Sequence, residues 1–146
     1  MNARSRMVVP TQGAHAASTH QAQLAPRQQP ARTGSSLQEV AIRRGDFALG
    51  GVAATLTLDA RGQVGDARVV CFGVGPRPVR ATAAERSLVG GAPSAPALAE
   101  AGRLASASVD PSDDIHASGA YRKRLAGVLA ARALATALES AAALAA

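Results

Sequence analysis

The feature that most limits the fold of this 146-residue chain is an alternating pattern from Val52 to Phe72, interrupted once by Asp59-Ala-Arg-Gly62. Val52, Ala54, Leu56 and Leu58 point one way, and Ala53, Thr55 and Thr57 the other. After the interruption, Ala67, Val69 and Cys71 oppose Arg68, Val70 and Phe72. A period of two is the signature of a half-buried strand. Asp59 and Gly62 supply turn chemistry, the glycine being suited to a positive φ. The two runs predict an antiparallel hairpin with one apolar face. A lone hairpin is marginal in water, so the remaining elements must cover that face.

Downstream, Gly73-Val-Gly75-Pro-Arg-Pro78 ends the second strand. It lacks the third glycine and following helix of a phosphate-cradling loop, and Pro76 and Pro78 remove two backbone donors. It is therefore expected to be a structural turn. Val79–Ala81 forms a short third strand, followed by a helix over Thr82–Val89 that stops at Gly90-Gly91. Ser94 caps a helix over Ala97–Ser108. Asp110–Asp114 is a loop in which the paired acids cap or solvate. Ser118 caps a long helix to the mid-140s, where Tyr121, Leu125, Val128, Leu129, Arg132 and Leu138 recur at helical spacing. Arg122, Lys123 and Arg124 in its first turns oppose the helix dipole. That mismatch hints at an acidic partner elsewhere, but the favoured reading is a solvated helix face. Upstream, Ser36 with Glu39 has the form of a capping box, which predicts a short helix over Leu37–Arg43. Gly45 then turns the chain into a strand that begins at Asp46–Ala48.

Residues 1–34 have no apolar period and cannot bury enough surface to offset their ordering entropy, so they are expected to be a disordered tail. Nothing orients His15 and His20 as metal ligands. Residues 1–38 contain four arginines and no acid, whereas the remaining twelve bases face ten acids. The net charge of +6 therefore describes mainly the tail. Dispersed arginines without aromatics for stacking do not make a nucleic-acid surface. The lone Cys71 excludes an intrachain disulfide or a cysteine-held cluster and is expected to be a small buried hydrophobe. No uninterrupted apolar run reaches membrane-spanning length, and Met7–Pro10 is too short for a signal sequence, so no membrane is expected and the location is read as cytoplasmic. With Phe47, Phe72 and Tyr121 as the only aromatics, the core must be built from Ala, Val and Leu, and the fold is expected to be of modest stability. No self-contained catalytic constellation appears, and His116 beside Asp113 and Asp114 has no nucleophile in an elbow.

Three groups of residues stand in order along the chain: Arg43-Arg44-Gly45-Asp46-Phe47-Ala48; Gly73-Val-Gly75-Pro-Arg-Pro-Val-Arg80 with Ala84-Glu85 and Leu88; and Asp114-Ile-His116-Ala-Ser118 with Tyr121-Arg122 and Leu125 through Ala133-Leu134. Together they resemble the C-terminal domain of the FAD-binding medium subunit of molybdenum hydroxylases, the carbon monoxide and xanthine dehydrogenase group. The resemblance covers about residues 33–139, with 35–146 expected as the domain. It implies an α+β fold, a small antiparallel sheet of about three strands packed on a three-helix bundle.

The resemblance also implies a role in an oxidoreductase. The medium subunit takes electrons from the iron–sulfur clusters of a small subunit, which receives them from a molybdenum large subunit, and FAD passes them to an acceptor. In the family, the arginine-pair loop lies close to the flavin ring, which singles out Arg43, Arg44 and Asp46 as cofactor-facing residues. Their charges would set the flavin's potential; the plainer reading is an Arg–Asp pair that closes a turn. Leu37 stands where many members have an aromatic. The family's flavin-diphosphate loops belong to a preceding domain that nothing in residues 1–34 resembles. The chain is thus expected to be a C-terminal domain without its FAD-binding domain, inactive by itself, with no metal, and working by docking onto a separate flavin domain or the other subunits. The alternatives are a freestanding non-catalytic interaction module and a non-functional gene fragment.

Overall fold

The computed structural model describes residues 32–43 and 45–144. Of the tail read over 1–34, residues 1–31, with His15 and His20, lie outside the described residues, as does the placement of Arg44, whereas Thr33 and Gly34 are paired strand residues. The elements are β1 (Thr33–Ala41), β2 (Ala48–Leu58), β3 (Val64–Phe72), β4 (Val79–Arg80), α1 (Thr82–Leu88), α2 (Ala95–Ala107) and α3 (Gly119–Ala143). The strands form one antiparallel sheet in the order β1-β2-β3-β4. All three helices cover one face: α3 lies across β1 and β2, α1 lies beneath β3, and α2 packs between the other two helices.

The β2–β3 hairpin forms as its alternation predicts. Val52, Ala54, Leu56, Ala67, Val69 and Cys71 all face the helices and are buried. Asp59 organises the turn by accepting from the amides of Arg61 and Gln63 through Oδ1, and Gly62 takes φ +76°. Burial pushes the Cys71 thiol up to about 11, the behaviour of an inert core hydrophobe.

The expected helix over Leu37–Arg43 is instead part of β1, an edge strand, so the sheet has four strands. Its inward positions are Ser36, Gln38 and Val40, two of them polar, and this hides the strand's period from a hydrophobicity reading. Ser36 and Glu39 mimic a cap locally, but a helix of that length is not stable alone. The long-range pairing wins. β1 is in register with β2 from Thr33↔Thr57 to Val40↔Gly50, and the two threonine hydroxyls lie 2.7 Å apart. The Leu58 amide also donates to the Arg32 carbonyl at 3.0 Å.

Alanine and glycine replace bulk throughout the helical layer. The large-residue stripe read along α3 is partly exposed, Tyr121 and Val128 being 45% and 42% accessible. The buried face is instead Ala126, Leu129, Ala130, Ala133, Leu134, Ala137 and Ala141. Such a face lets backbones approach closely. A Cβ at Gly34 of β1 would overlap the Ala137 carbonyl of α3, and one at Gly102 of α2 would lie 2.6 Å from the Gly127 carbonyl. With 25 residues and a mean hydropathy of 1.3 over 18 of them, α3 is long and apolar enough to cross a membrane. Here its alanine face packs on the sheet and on α2. Gly34→Ala is expected to cost about 1–3 kcal/mol by overpacking, read as a lower urea midpoint at unchanged slope; an unchanged midpoint would show that β1 does not seat on α3.

Candidate functional site

Three loops meet at one end of the sheet, beside the first turn of α3. They are the β1–β2 connection (42–47), the turn after β3 (73–76) and the segment leading into α3 (111–117). Arg122 joins them. Although it is only 8% exposed, its Nη1 donates to the Leu49 carbonyl at 2.7 Å and the Gly73 carbonyl at 3.1 Å, and its Nη2 to Asp114 Oδ2 at 2.5 Å. The structure thus divides the three consecutive bases: Arg122 turns inward to an acidic partner, while Lys123 and Arg124 stay in solvent. Asp114 also accepts from the amides of His116 and Ala117 at 2.8 and 2.9 Å. The Arg122 guanidinium and these two amides hold its carboxyl well below the usual carboxylate range. Asp113 accepts from the Gly119 amide at 2.6 Å, and Ser118 caps α3 through the Tyr121 amide.

The turn after β3 is structural. Gly73 has φ +69°, and a Cβ there would sit 2.8 Å from the Ala48 carbonyl; Val74 enters the core.

In the 42–47 loop, the Asp46 amide donates to the Arg43 carbonyl at 3.1 Å, and the Phe47 amide to Asp46 Oδ1 at 2.9 Å. Arg43 and Asp46 are exposed, and among the described residues they do not form an ion pair with each other; backbone bonding closes the turn. The loop borders a cavity of about 210 Å³ whose opposite wall is Asp114, His116 and Arg122. A second cleft of about 300 Å³, over Gly73–Pro76, shares Asp114 and Arg122 as its wall. Asp46 therefore belongs to one site with residues for which no cofactor role was expected, Arg122 and Asp114 above all, whereas Arg43, exposed on the same loop, does not line the cavity. The sequence signal for them was the adverse base at the start of α3, eight residues after an aspartate.

A second ion pair missed from the sequence lies elsewhere. Glu85, 6% exposed, accepts from Arg80 Nε and Nη2 at 2.8 Å and from the Val69 amide at 3.0 Å. Burial pushes its carboxyl up, but the Arg80 and Val69 hydrogen bonds outweigh this and leave it lowered. It completes the bonding of β3 where β4 stops.

The family model of the CO dehydrogenase flavoprotein C-terminal domain matches residues 35–137. The chain belongs to that family. The alpha subunit of the 6-hydroxypseudooxynicotine dehydrogenase complex of Paenarthrobacter nicotinovorans is 34% identical over 114 residues, which are 78% of this chain and 38% of that subunit. Among solved structures, CO dehydrogenase from Hydrogenophaga pseudoflava superposes with a TM-score of 0.73 at 30% identity, over 77% of this chain and 39% of that one. CO dehydrogenase from Oligotropha carboxidovorans gives 0.71 at 31%, with the same coverage. Quinoline 2-oxidoreductase from Pseudomonas putida 86 gives 0.70 at 32%, over 75% and 38%. The CO dehydrogenase flavoprotein C-terminal domain thus spans under half the length of each relative.

Asp114 gives this domain an acid-sensitive joint. Its stabilising contribution is complete above its ordinary value of 3.8 and is lost as pH falls through the lower folded-state value. Asp114→Asn is expected to unfold at lower urea than the parent at pH 7, with the two proteins converging below pH 3.8. Parallel stability profiles across that range would show that the ion pair contributes nothing.

Proposed function

We propose that the chain acts as the C-terminal domain of the FAD-containing electron-transfer subunit of a molybdenum hydroxylase, with the 42–47 loop forming one wall around the flavin ring. The observation that carries the reading is that parts of all three motif groups meet at one end of the sheet: Asp46 to Ala48 share a cavity wall with Asp114 and Arg122, and Arg122 also bonds the Gly73 carbonyl. Relatives named as CO dehydrogenase, one in a form lacking the Mo-pyranopterin moiety of its molybdenum cofactor, and a dehydrogenase complex subunit support a multi-subunit, molybdenum-containing partner; an iron–sulfur subunit beside it follows from the family resemblance.

The residues fit a share of the cofactor. A cavity of about 210 Å³ is smaller than the roughly 300–1,000 Å³ that enclose a drug-sized ligand, and FAD is larger than that. The domain therefore offers a wall, and a flavin-binding protein supplies the rest. When bound, the flavin accepts electrons and hands them on; the residues of this chain tune that exchange. Arg43 brings a positive charge, with Arg44 beside it in sequence, and Asp46 a negative one, each acting on the charge the ring acquires on reduction. Arg122 and Asp114 fix the start of β2, immediately after the loop, which limits how far these charges can move.

The test is a redox titration of the flavin in the complex purified through a tag on the full chain in its native host. Arg43→Ala is expected to lower the flavin's potential, because a cation that favours the reduced form is lost, and Asp46→Asn to raise it. Unchanged potentials in both variants would remove the loop from the flavin's surroundings. Stoichiometric FAD held by this chain alone would contradict the one-wall reading.

A further inference from the structure

Phe47 and Ile115 are almost wholly exposed, at 95% and 94%, in a chain with only three aromatic residues. Leaving a Phe or Ile side chain in water forgoes about 1.5–3 kcal/mol of burial, and the two stand at the mouth of the same cavity. Phe47 lines it directly, and Ile115 lies between Asp114 and His116, which line the opposite side. Ile42, 55% exposed and also lining the cavity, extends this apolar rim.

The tips are held rather than loose. The Phe47 amide is bonded to Asp46, and the Leu49 carbonyl two residues on is bonded to Arg122. On the other side Ile115 is carried by a turn whose Asp114 bonds the next two amides and the same Arg122. Two apolar side chains presented on rigid turns, with polar groups between them, have the form of binding anchors, since ordering costs are already met before contact.

We propose that Phe47 and Ile115 anchor this domain to the flavin-binding protein, with Arg122 as the positioning residue that sets their separation. The occupant follows from two observations. Most of the length of every relative described above lies outside the stretch this chain matches. Phe47 is also continuous with Asp46, so whatever covers Phe47 must bring its surface to the loop assigned to the flavin. The inference rests on the proposed function, and adds the contacts that hold the two halves together.

The test uses the tagged full chain purified from its native host, with flavin per chain read by visible absorption and side-chain accessibility by hydroxyl-radical labelling. Phe47 and Ile115 are expected to be labelled in the isolated chain and protected in the flavin-bearing complex. Phe47→Asp and Ile115→Asp are each expected to reduce the flavin retained by about tenfold or more, as for truncated anchor residues. Val89→Asp, at an exposed apolar position at the C-terminal end of α1 and away from this cavity, is expected to retain it. Circular dichroism of each variant chain separates loss of docking from loss of fold. Flavin retained equally by all three folded variants would overturn the docking while leaving the flavin reading standing. Complete absence of flavin from the parent complex would overturn both. Protection already present in the isolated full chain and abolished by deleting residues 1–31, or protection that depends on chain concentration, would assign the rim to the chain's own N-terminus or to a second copy and overturn the proposal.

Discussion

A single buried guanidinium holds the working end of this domain together. Arg122 enters from the first turn of α3, where a positive charge opposes the helix dipole. It is tolerated because Asp114 and the Leu49 and Gly73 carbonyls receive it. The planar fork of arginine makes this arrangement available: separate N–H groups reach a carboxylate and two carbonyls at once, which the single ammonium of lysine cannot match in geometry. Each acceptor belongs to a different segment, so one side chain fixes the relative positions of the start of β2, the end of β3 and the entry to α3. Asp114 in turn bonds the amides that follow it, carrying the constraint into the turn that bears Ile115.

The remainder of the molecule accommodates that joint with very little bulk. Glycine at positions 34, 102 and 127 and alanine along α3 allow backbone surfaces to approach where larger residues would hold them apart. Close packing of many small groups compensates in part for the scarcity of aromatic burial. All three aromatics are also withheld from the core: Phe47 projects from the loop, Tyr121 is half exposed, and Phe72 lies over Gly51 on the sheet face opposite the helices. The two most exposed large apolar residues, Phe47 and Ile115, thus stand where the proposed partner sits, and the interior is left to Val, Leu and Ala.

Legibility from the sequence followed the physics of each element. The β2–β3 hairpin was readable because its alternation and its Asp59–Gly62 turn agree. The helices after Ser94 and Ser118 were readable because local capping and amphipathic spacing agree as well. β1 was not, because its inward positions are Ser36 and Gln38 and the evidence for the strand lies in β2, at the far side of a turn. The site was half legible. Arg43, Arg44 and Asp46 came from resemblance to a family, and no composition or period marks them. Arg122 announced itself as misplaced charge, but its partners could be identified only once the Leu49 and Gly73 carbonyls were brought beside it by folding. The exposed rim has no sequence signature at all, since an apolar residue in a loop reads the same whether it is covered or bare.

The central claim is that Arg122 couples three loops into one rigid site, and residue-resolved amide hydrogen exchange tests it most directly. In Arg122→Met, which keeps the length of the stem and removes the fork, the amides of Asp46, Phe47, His116 and Ala117 are expected to lose protection together, while those at the centre of the β2–β3 hairpin retain theirs. Loss of protection confined to the segment around Asp114, with Asp46 and Phe47 unchanged, would contradict the account.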